Sequence, residues 1–116
     1  MLIVLGALAR VQGAQGLIPE DSAAFIHRSS LEVQIDPAGL SAQTAQDLDP
    51  VPALVTAFQR AVEAPEHACH VLDATPAQHI ADTALMLRLR QTLAALEERA
   101  QSLTPAVAAH VKGLQL

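Results

Sequence analysis

The sequence predicts an all-α fold: a small N-terminal helical region (residues 1–75), then one long bundle helix with a short C-terminal helix (residues 76–116), together one compact unit. Ala and Leu dominate and aromatic residues make up only 2% of the 116 residues. Such small and medium aliphatic side chains suit closely packed helices better than a β-sandwich. In addition, proline and glycine recur at positions that begin or end helices, and one long stretch contains neither.

The first half of the chain is predicted to form three helices. A helix from Leu2 to Gln15 ends at Gly16, because glycine readily adopts the left-handed conformation that terminates helices. A second helix follows Pro19 and reaches about Arg28, since acidic residues in its first turn complement the helix dipole. Residues 31–35 alternate like a strand but have no evident partner strand, so an extended connector is expected. Asp36 and Pro37 then open a third helix to about Asp47.

Prolines divide the second half in the same way. The prolines at 50 and 52 predict a kinked lead into a fourth helix, Ala53 to about Ala64, which Pro65 ends. Residues 66–72 are predicted to form a short turn or helix. Thr104 and Pro105 repeat the signal of a cap followed by proline, which predicts a last short helix closed by Gly113.

The long helix is predicted over residues 76–102. Thr75 is expected to cap it, Pro76 suits its first position, and Gln78 stands where a capping box places Glu or Gln. About 26 residues would span about 39 Å, whereas a globule of this size has a radius of gyration of only about 13 Å. One apolar stripe runs along this helix through Leu85, Leu89, Leu93, Leu96, Ala100 and Leu103. A second row comprises Ile80, Ala84, Leu87 and Ala94. The alternatives are an ordinary core helix and a bundle helix covered by another chain; its length favours the second.

Composition excludes several classes of protein. The net charge of −5 argues against binding to nucleic acid or to an anionic membrane surface. The apolar N-terminus lacks the basic flank of a signal peptide, and no run approaches the ~20 apolar residues of a membrane span. We therefore expect a cytoplasmic protein. The single Cys69 fits a reducing compartment and is expected to be buried.

Three segments resemble the fumarase/aspartase superfamily, and within it bacterial 3-carboxy-cis,cis-muconate cycloisomerase. They are residues 7–19, which contain Gly-Leu-Ile-Pro, residues 49–54, which read Asp-Pro-Val-Pro-Ala-Leu, and residues 70–90, which contain the most specific motif, Asp82-Thr-Ala-Leu85. The resemblance covers about residues 5–103. It implies a helical N-terminal domain followed by the first helix of a central bundle. It also implies assembly from several subunits, and elimination, addition or cycloisomerisation of a polycarboxylate without a metal or organic cofactor.

The resemblance also indicates which site residues are present. Thr75 matches the family's threonine, whereas Pro76-Ala77 occupies the turn where the family has serine. The motif glycine is replaced by Leu72 or Asp73, and its later aspartate by His79. The equivalence of His70 to the motif histidine depends on where the insertion is placed. The family's second and third motifs would lie beyond the last residue of this sequence, so the chain offers only part of one motif.

The candidate site residues follow from this region. Thr75 and His70 are candidate catalytic residues, and Thr75, Gln78 and His79 are candidate substrate-binding residues, because a helix N-terminus favours a carboxylate. The alternative is that Thr75 and Gln78 only cap the helix. His and Cys residues are densest at 67–79, but their spacing matches no established zinc signature, so no metal is expected.

We therefore expect a truncated relative of the cycloisomerase that is not catalytic alone and self-associates, as a dimer or tetramer, through residues 76–102. The first alternative is an enzyme that is active as an oligomer or with a complementing chain. The second is a module that binds a carboxylate or a metal. A short paralogue and one piece of a split enzyme remain equally open.

Overall fold

The computed structural model describes residues 1–114, and every regular element in that range is helical. The predicted all-α class is therefore confirmed. Gln115 and Leu116, which end the predicted second region, lie outside the described residues. The chain divides into two compact units, Met1–Ala84 and the residues from Leu85 onward.

Helix α1 (Leu2–Ala14) ends close to where the sequence predicts. Gly16 has φ 75° and so adopts the left-handed conformation. The N–H of Gly16 donates to the Gly13 carbonyl at 3.2 Å, and that of Leu17 donates to the Gln12 carbonyl at 2.9 Å. These two bonds form a Schellman motif, which satisfies carbonyls that the end of a helix leaves without partners.

Helix α2 (Glu20–Glu32) begins as predicted, with Pro19 before it and two acidic residues in its first turn. It continues past Arg28, however, so the expected extended connector is wrong for Leu31 and Glu32. The reason is tertiary: one side of α2, including Ile26, Ser29 and Ser30, is buried, and this side continues through the helix's last turns.

Helices α1 and α2 pack unusually closely at two glycines. A Cβ added to Gly6 would overlap Ser30 Oγ and lie 2.8 Å from Ser30 Cβ. A Cβ added to Gly13 would overlap Ala23 Cβ. Both positions therefore require the smallest residue, and the two helices are held at this separation by glycines one heptad apart.

The next elements start at aspartate caps. A 3₁₀ turn (Pro37–Leu40) leads into α3 (Ser41–Asp47), and Asp36 Oδ1 accepts a hydrogen bond from the Ala38 N–H at 3.0 Å. Helix α4 (Pro50–Val62) follows, with Asp49 Oδ1 accepting from the Val51 N–H at 2.9 Å. A kinked lead before Ala53 was expected. Instead both prolines lie in the first helical turn, where their missing N–H groups need no partner.

The short helix α5 (Pro65–Ala68) is tied to two earlier helices. Gln59 Nε2 donates to the Ala68 carbonyl at 2.9 Å, joining α5 to α4. Ser22 Oγ and His67 Nδ1 are hydrogen-bonded at 2.8 Å, and the His67 ring stacks on Phe25 with ring centroids 4.7 Å apart. These contacts position the segment that leads into the last helix.

Helix α6 (Ala77–Leu114) is a single helix of 38 residues with Pro105 in its interior. The predicted end near residue 102 and the separate short helix after Pro105 are therefore wrong. Thr104, expected as a cap, instead donates its hydroxyl to the Ala100 carbonyl at 2.9 Å within the helix. Pro105 removes the N–H that would bond the Gln101 carbonyl, but the Ala-rich residues after it favour helix and continue it.

The core of the first unit is aliphatic with one aromatic ring at its centre. Phe58 and Val51 of α4 are fully buried, and Ile80, near the start of α6, is 2% exposed. The buried cluster consists of Leu5, Ala9, Ile18, Ala23, Ile26, Val51, Leu54, Phe58, Val71 and Ile80. The beginning of α6 is thus part of this core.

Within residues 1–114, no helix combines the length and the apolarity that crossing a membrane requires.

Candidate functional site

The turn that precedes α6 has an unusual backbone. Leu72 has φ 60° and Ala74 has φ 51°, both in the left-handed region that glycine favours. Neither residue is glycine, so each conformation costs roughly 1–2 kcal/mol.

Gln12 of α1 holds this turn in place. Its Nε2 donates to the Asp73 carbonyl at 2.8 Å and to Thr75 Oγ1 at 3.3 Å. Gln12 is only 5% exposed, and its Oε1 is buried without a hydrogen-bond partner among the described residues. A buried amide with two long-range bonds links the first helix of the unit to the residues just before the last one.

Thr75 does not cap α6. Its hydroxyl donates to the Asp73 carbonyl at 3.2 Å and accepts the bond from Gln12, whereas the helix begins two residues later, at Ala77. Gln78 donates to Asp82 Oδ1 at 2.7 Å, one turn along the helix, and so does not form a capping box. The capping prediction is wrong because the buried Gln12 and the turn carbonyl both engage the threonine hydroxyl.

Neither His70 nor His79 is hydrogen-bonded to Thr75. The His70 Nδ1 atom is 4.0 Å from Asp73 Oδ2, and the His70 side chain is 27% exposed. His79 is exposed, and its side chain has no hydrogen bond in the part of the chain that the structure describes. The structure therefore joins Thr75 to Gln12 and Asp73, and places His70 beside Asp73. It brings neither Gln78 nor His79 into hydrogen-bond contact with Thr75.

The dense region of His and Cys residues does not converge. His67 faces Ser22 and Phe25, whereas His70 faces Asp73. Across residues 1–114, no group of three His, Cys, Asp or Glu side chains is arranged to hold a metal ion. Cys69 is exposed rather than buried, because it follows α5 on the outer side of the unit, with its thiol directed to the Glu66 carbonyl.

A cavity of about 340 Å³ lies between α1 and α2. Its floor is formed by small residues, and its polar side chains are those of Arg10, Glu20 and His27. His27 Nδ1 is buried and has no hydrogen-bond partner within residues 1–114, and Arg10 forms no ion pair in the same range. The volume lies at the lower end of the range typical of small-molecule sites.

The second unit carries a continuous apolar stripe. Nine residues share one sector of about 80° on α6, and every residue from 85 to 114 in that sector is apolar. The stripe comprises Leu85, Leu89, Leu93, Leu96, Ala100, Leu103, Val107, Val111 and Leu114. Its leucines and valines are 45–69% exposed. Exposed apolar surface of this extent is typical of interaction sites.

Three features were missed by sequence reasoning. Gln12 lies on the same buried face of α1 as Leu5 and Ala9. A polar residue at such a core-facing position could have indicated a buried hydrogen bond. The cavity involves Arg10 and His27, on different helices, and no local pattern predicts that α1 and α2 bring them together. The part of the stripe beyond Leu103 was missed because a helix end was expected at Pro105.

The fold and these sites define an all-α protein that consists of a compact helical unit and a helical segment with an exposed apolar face. No family model, curated protein or solved structure matches the chain.

Proposed function

We propose that this protein is a relative of 3-carboxy-cis,cis-muconate cycloisomerase, in the fumarase/aspartase superfamily, that acts by self-association rather than by catalysis. In this proposal the chain forms a dimer or tetramer through α6. The order of the elements supports it: short helices that lead into one long helix are what the resemblance implies. The observation that carries the proposal is the exposed apolar stripe of residues 85–114.

The environment of Thr75 supports a role without catalysis. Its hydroxyl hydrogen is directed to the Asp73 carbonyl and its oxygen accepts from Gln12. Neither is therefore directed toward a substrate. His70, the other candidate, faces Asp73 rather than Thr75, so the two do not form the hydrogen-bonded pair that an activated hydroxyl requires.

Light scattering of the purified protein, coupled to gel filtration, tests the proposal. We expect a mass of two or four times 12.2 kDa, because an exposed apolar stripe of this length is buried most effectively by other copies. The complex should persist in high salt, which screens charges but does not weaken apolar contacts. A monodisperse species of 12.2 kDa at high protein concentration would contradict self-association.

The cavity between α1 and α2 supports a second candidate function, the binding of a small carboxylate. Arg10 supplies a guanidinium with no ion pair in the described residues, and the His27 ring also lines the cavity, although its Nδ1 atom is buried and not open to a ligand. Glu20 lines the same cavity and adds a negative charge. We therefore propose a carboxylate that also carries a hydrogen-bond donor, such as a hydroxy or amino acid, in place of a dianion.

Calorimetric titration with lactate, alanine and fumarate tests this second function. Lactate or alanine is expected to bind, and Arg10→Gln should weaken binding roughly tenfold to a hundredfold, because a hydrogen bond to a charged group contributes about 1.5–3 kcal/mol. The matched control is Arg28→Gln, which removes an exposed arginine of α2 that does not line the cavity. Absence of heat with all three ligands, or equal binding by the two variants, would eliminate the cavity as this site.

A further inference from the structure

We infer that the second copy packs antiparallel on the stripe, about a two-fold axis that passes between the levels of Leu96 and Ala100. This inference rests on the proposed self-association and specifies its geometry. Leu93 of one copy then faces Leu103 of the other, and Leu96 faces Ala100. Farther along the stripe, Leu85 faces Val111 and Leu89 faces Val107, whereas Leu114 lies beyond this symmetric part, at the level of residue 82 of the other copy.

The spacing of the stripe supports this arrangement. From Leu85 to Val111 the steps are 4, 4, 3, 4, 3, 4 and 4 residues, a series that reads the same in both directions. An antiparallel pair brings apolar residues to the same level throughout only if the series is symmetric about the two-fold axis. A parallel pair in register imposes no such condition. The centre of symmetry lies midway between Leu96 and Ala100.

The same spacing indicates a pair of nearly straight helices. The steps from Leu85 to Leu114 average about 3.6 residues, which matches the turn of an undistorted α-helix. A stripe with this period runs almost parallel to the helix axis. A stripe with a strict seven-residue repeat instead winds slowly around the helix, and keeping it in contact with a partner imposes a left-handed supercoil. Two straight helices can therefore stay in contact along about 45 Å without winding around each other.

Charge favours the antiparallel direction. Before Leu85 the chain has three basic and ten acidic residues, and from Leu85 onward it has four basic and two acidic residues. A parallel pair would place the two strongly acidic N-terminal units at the same end of the helix pair, where they repel each other. An antiparallel pair separates them and brings Lys112 of each copy to the level of residue 84 of the other.

The position of Pro105 is consistent with a partner on the stripe. Pro105 lies about 160° from the centre of the stripe around the helix, and Gln101, whose carbonyl loses its intrahelical donor, also lies outside the stripe. Water can therefore reach the unpaired carbonyl while the stripe is covered. A proline on the stripe itself would place that carbonyl in an apolar contact.

Disulfide trapping tests the direction of packing in the full-length chain. Exposed Cys69 is first replaced by serine, and Leu93→Cys and Leu103→Cys are then made separately, one of them isotopically labelled. After the two variants are mixed and mildly oxidised, we expect the disulfide between residue 93 of one copy and residue 103 of the other to dominate. The disulfide between two copies of residue 93 should not form. In the antiparallel pair two copies of residue 93 are about 15 Å apart along the axis, which exceeds the span of a disulfide. The control is Leu87→Cys, outside the stripe, which should not cross-link.

The outcomes separate this inference from the proposed function. If each variant alone forms a like-with-like disulfide while light scattering gives a dimer, the copies are parallel and the inference is overturned, but self-association stands. If the chain without substitutions is a monomer and no disulfide forms, the proposed function fails and the inference fails with it. If Leu87→Cys cross-links as readily as the two stripe variants, the stripe is not the contact surface and the inference is wrong.

Discussion

Replacing Leu93 and Leu96 together by aspartate is expected to convert the protein to a monomer. Both residues lie in the middle of the exposed stripe, where each is more than half exposed in the single chain. In an assembly that covers the stripe, each new carboxylate would be buried against leucines without a partner. Such burial costs several kcal/mol for each carboxylate, so a total of at least about 4 kcal/mol would weaken association about a thousandfold or more.

Sedimentation velocity over a wide range of protein concentration measures this effect. The matched control is the pair Leu87→Asp and Ala94→Asp, which adds the same charge to α6 on the side opposite the stripe. The control should keep the mass of the unaltered protein. Far-ultraviolet circular dichroism should show equal helix content in the two variants, so that unfolding does not explain a change in mass. A stripe variant that sediments like the unaltered protein would rule out this surface as the contact.

Gly6→Ala is expected to destabilise the first unit by about 1–3 kcal/mol, the typical cost of inserting a methyl group into a packed contact. The added Cβ would overlap Ser30 Oγ and lie 2.8 Å from Ser30 Cβ. It would also displace the Ser30 hydroxyl from its hydrogen bond to the His27 carbonyl. The loss should exceed the gain of about 1 kcal/mol that alanine gives over glycine in a helix, because backbone contacts of the two helices limit relaxation.

Urea unfolding monitored by circular dichroism measures this loss. Gly113→Ala is the control, since Gly113 also lies in a helix but an added Cβ there meets nothing within 4 Å. It should leave stability unchanged or raise it slightly. Adding Ser30→Gly to Gly6→Ala should restore part of the lost stability. The new methyl group at position 6 of α1 then fills the space that the Ser30 side chain of α2 has left. Equal stability of Gly6→Ala and the unaltered protein would mean that α1 and α2 are not held at this separation.

Most helix starts and ends could be predicted because their signals are local. Gly16 ends α1 through a two-bond motif, and Pro19 with two acidic residues begins α2. Asp36 caps the element that follows it, as predicted, and Asp49 caps α4, although the prolines predicted a start at Ala53 rather than Pro50. In each case the residues that make the hydrogen bond lie within about five positions of each other, so the sequence pattern already contains both partners.

The candidate site was harder to predict because its partners are distant in the chain. Thr75 and Pro76 form a standard helix start by pattern, yet the Thr75 hydroxyl is engaged by Gln12, 63 residues away. His70 and His79 were singled out by residue type, whereas their contacts depend on the conformation of the turn. Two of the turn residues, Leu72 and Ala74, adopt left-handed conformations that their side chains disfavour, so propensity gave no indication of them.

The sequence by itself determined the helical class, the first residues of most helices and the apolar stripe of α6, because helix caps and helical periodicity are properties of neighbouring residues. Only the tertiary structure decided how far α2 and α6 extend, the glycine contact between α1 and α2, and the attachment of the turn before α6 to Gln12. These depend on which surfaces become buried together. Burial offsets local costs, such as left-handed backbone, that no short pattern of residues reveals.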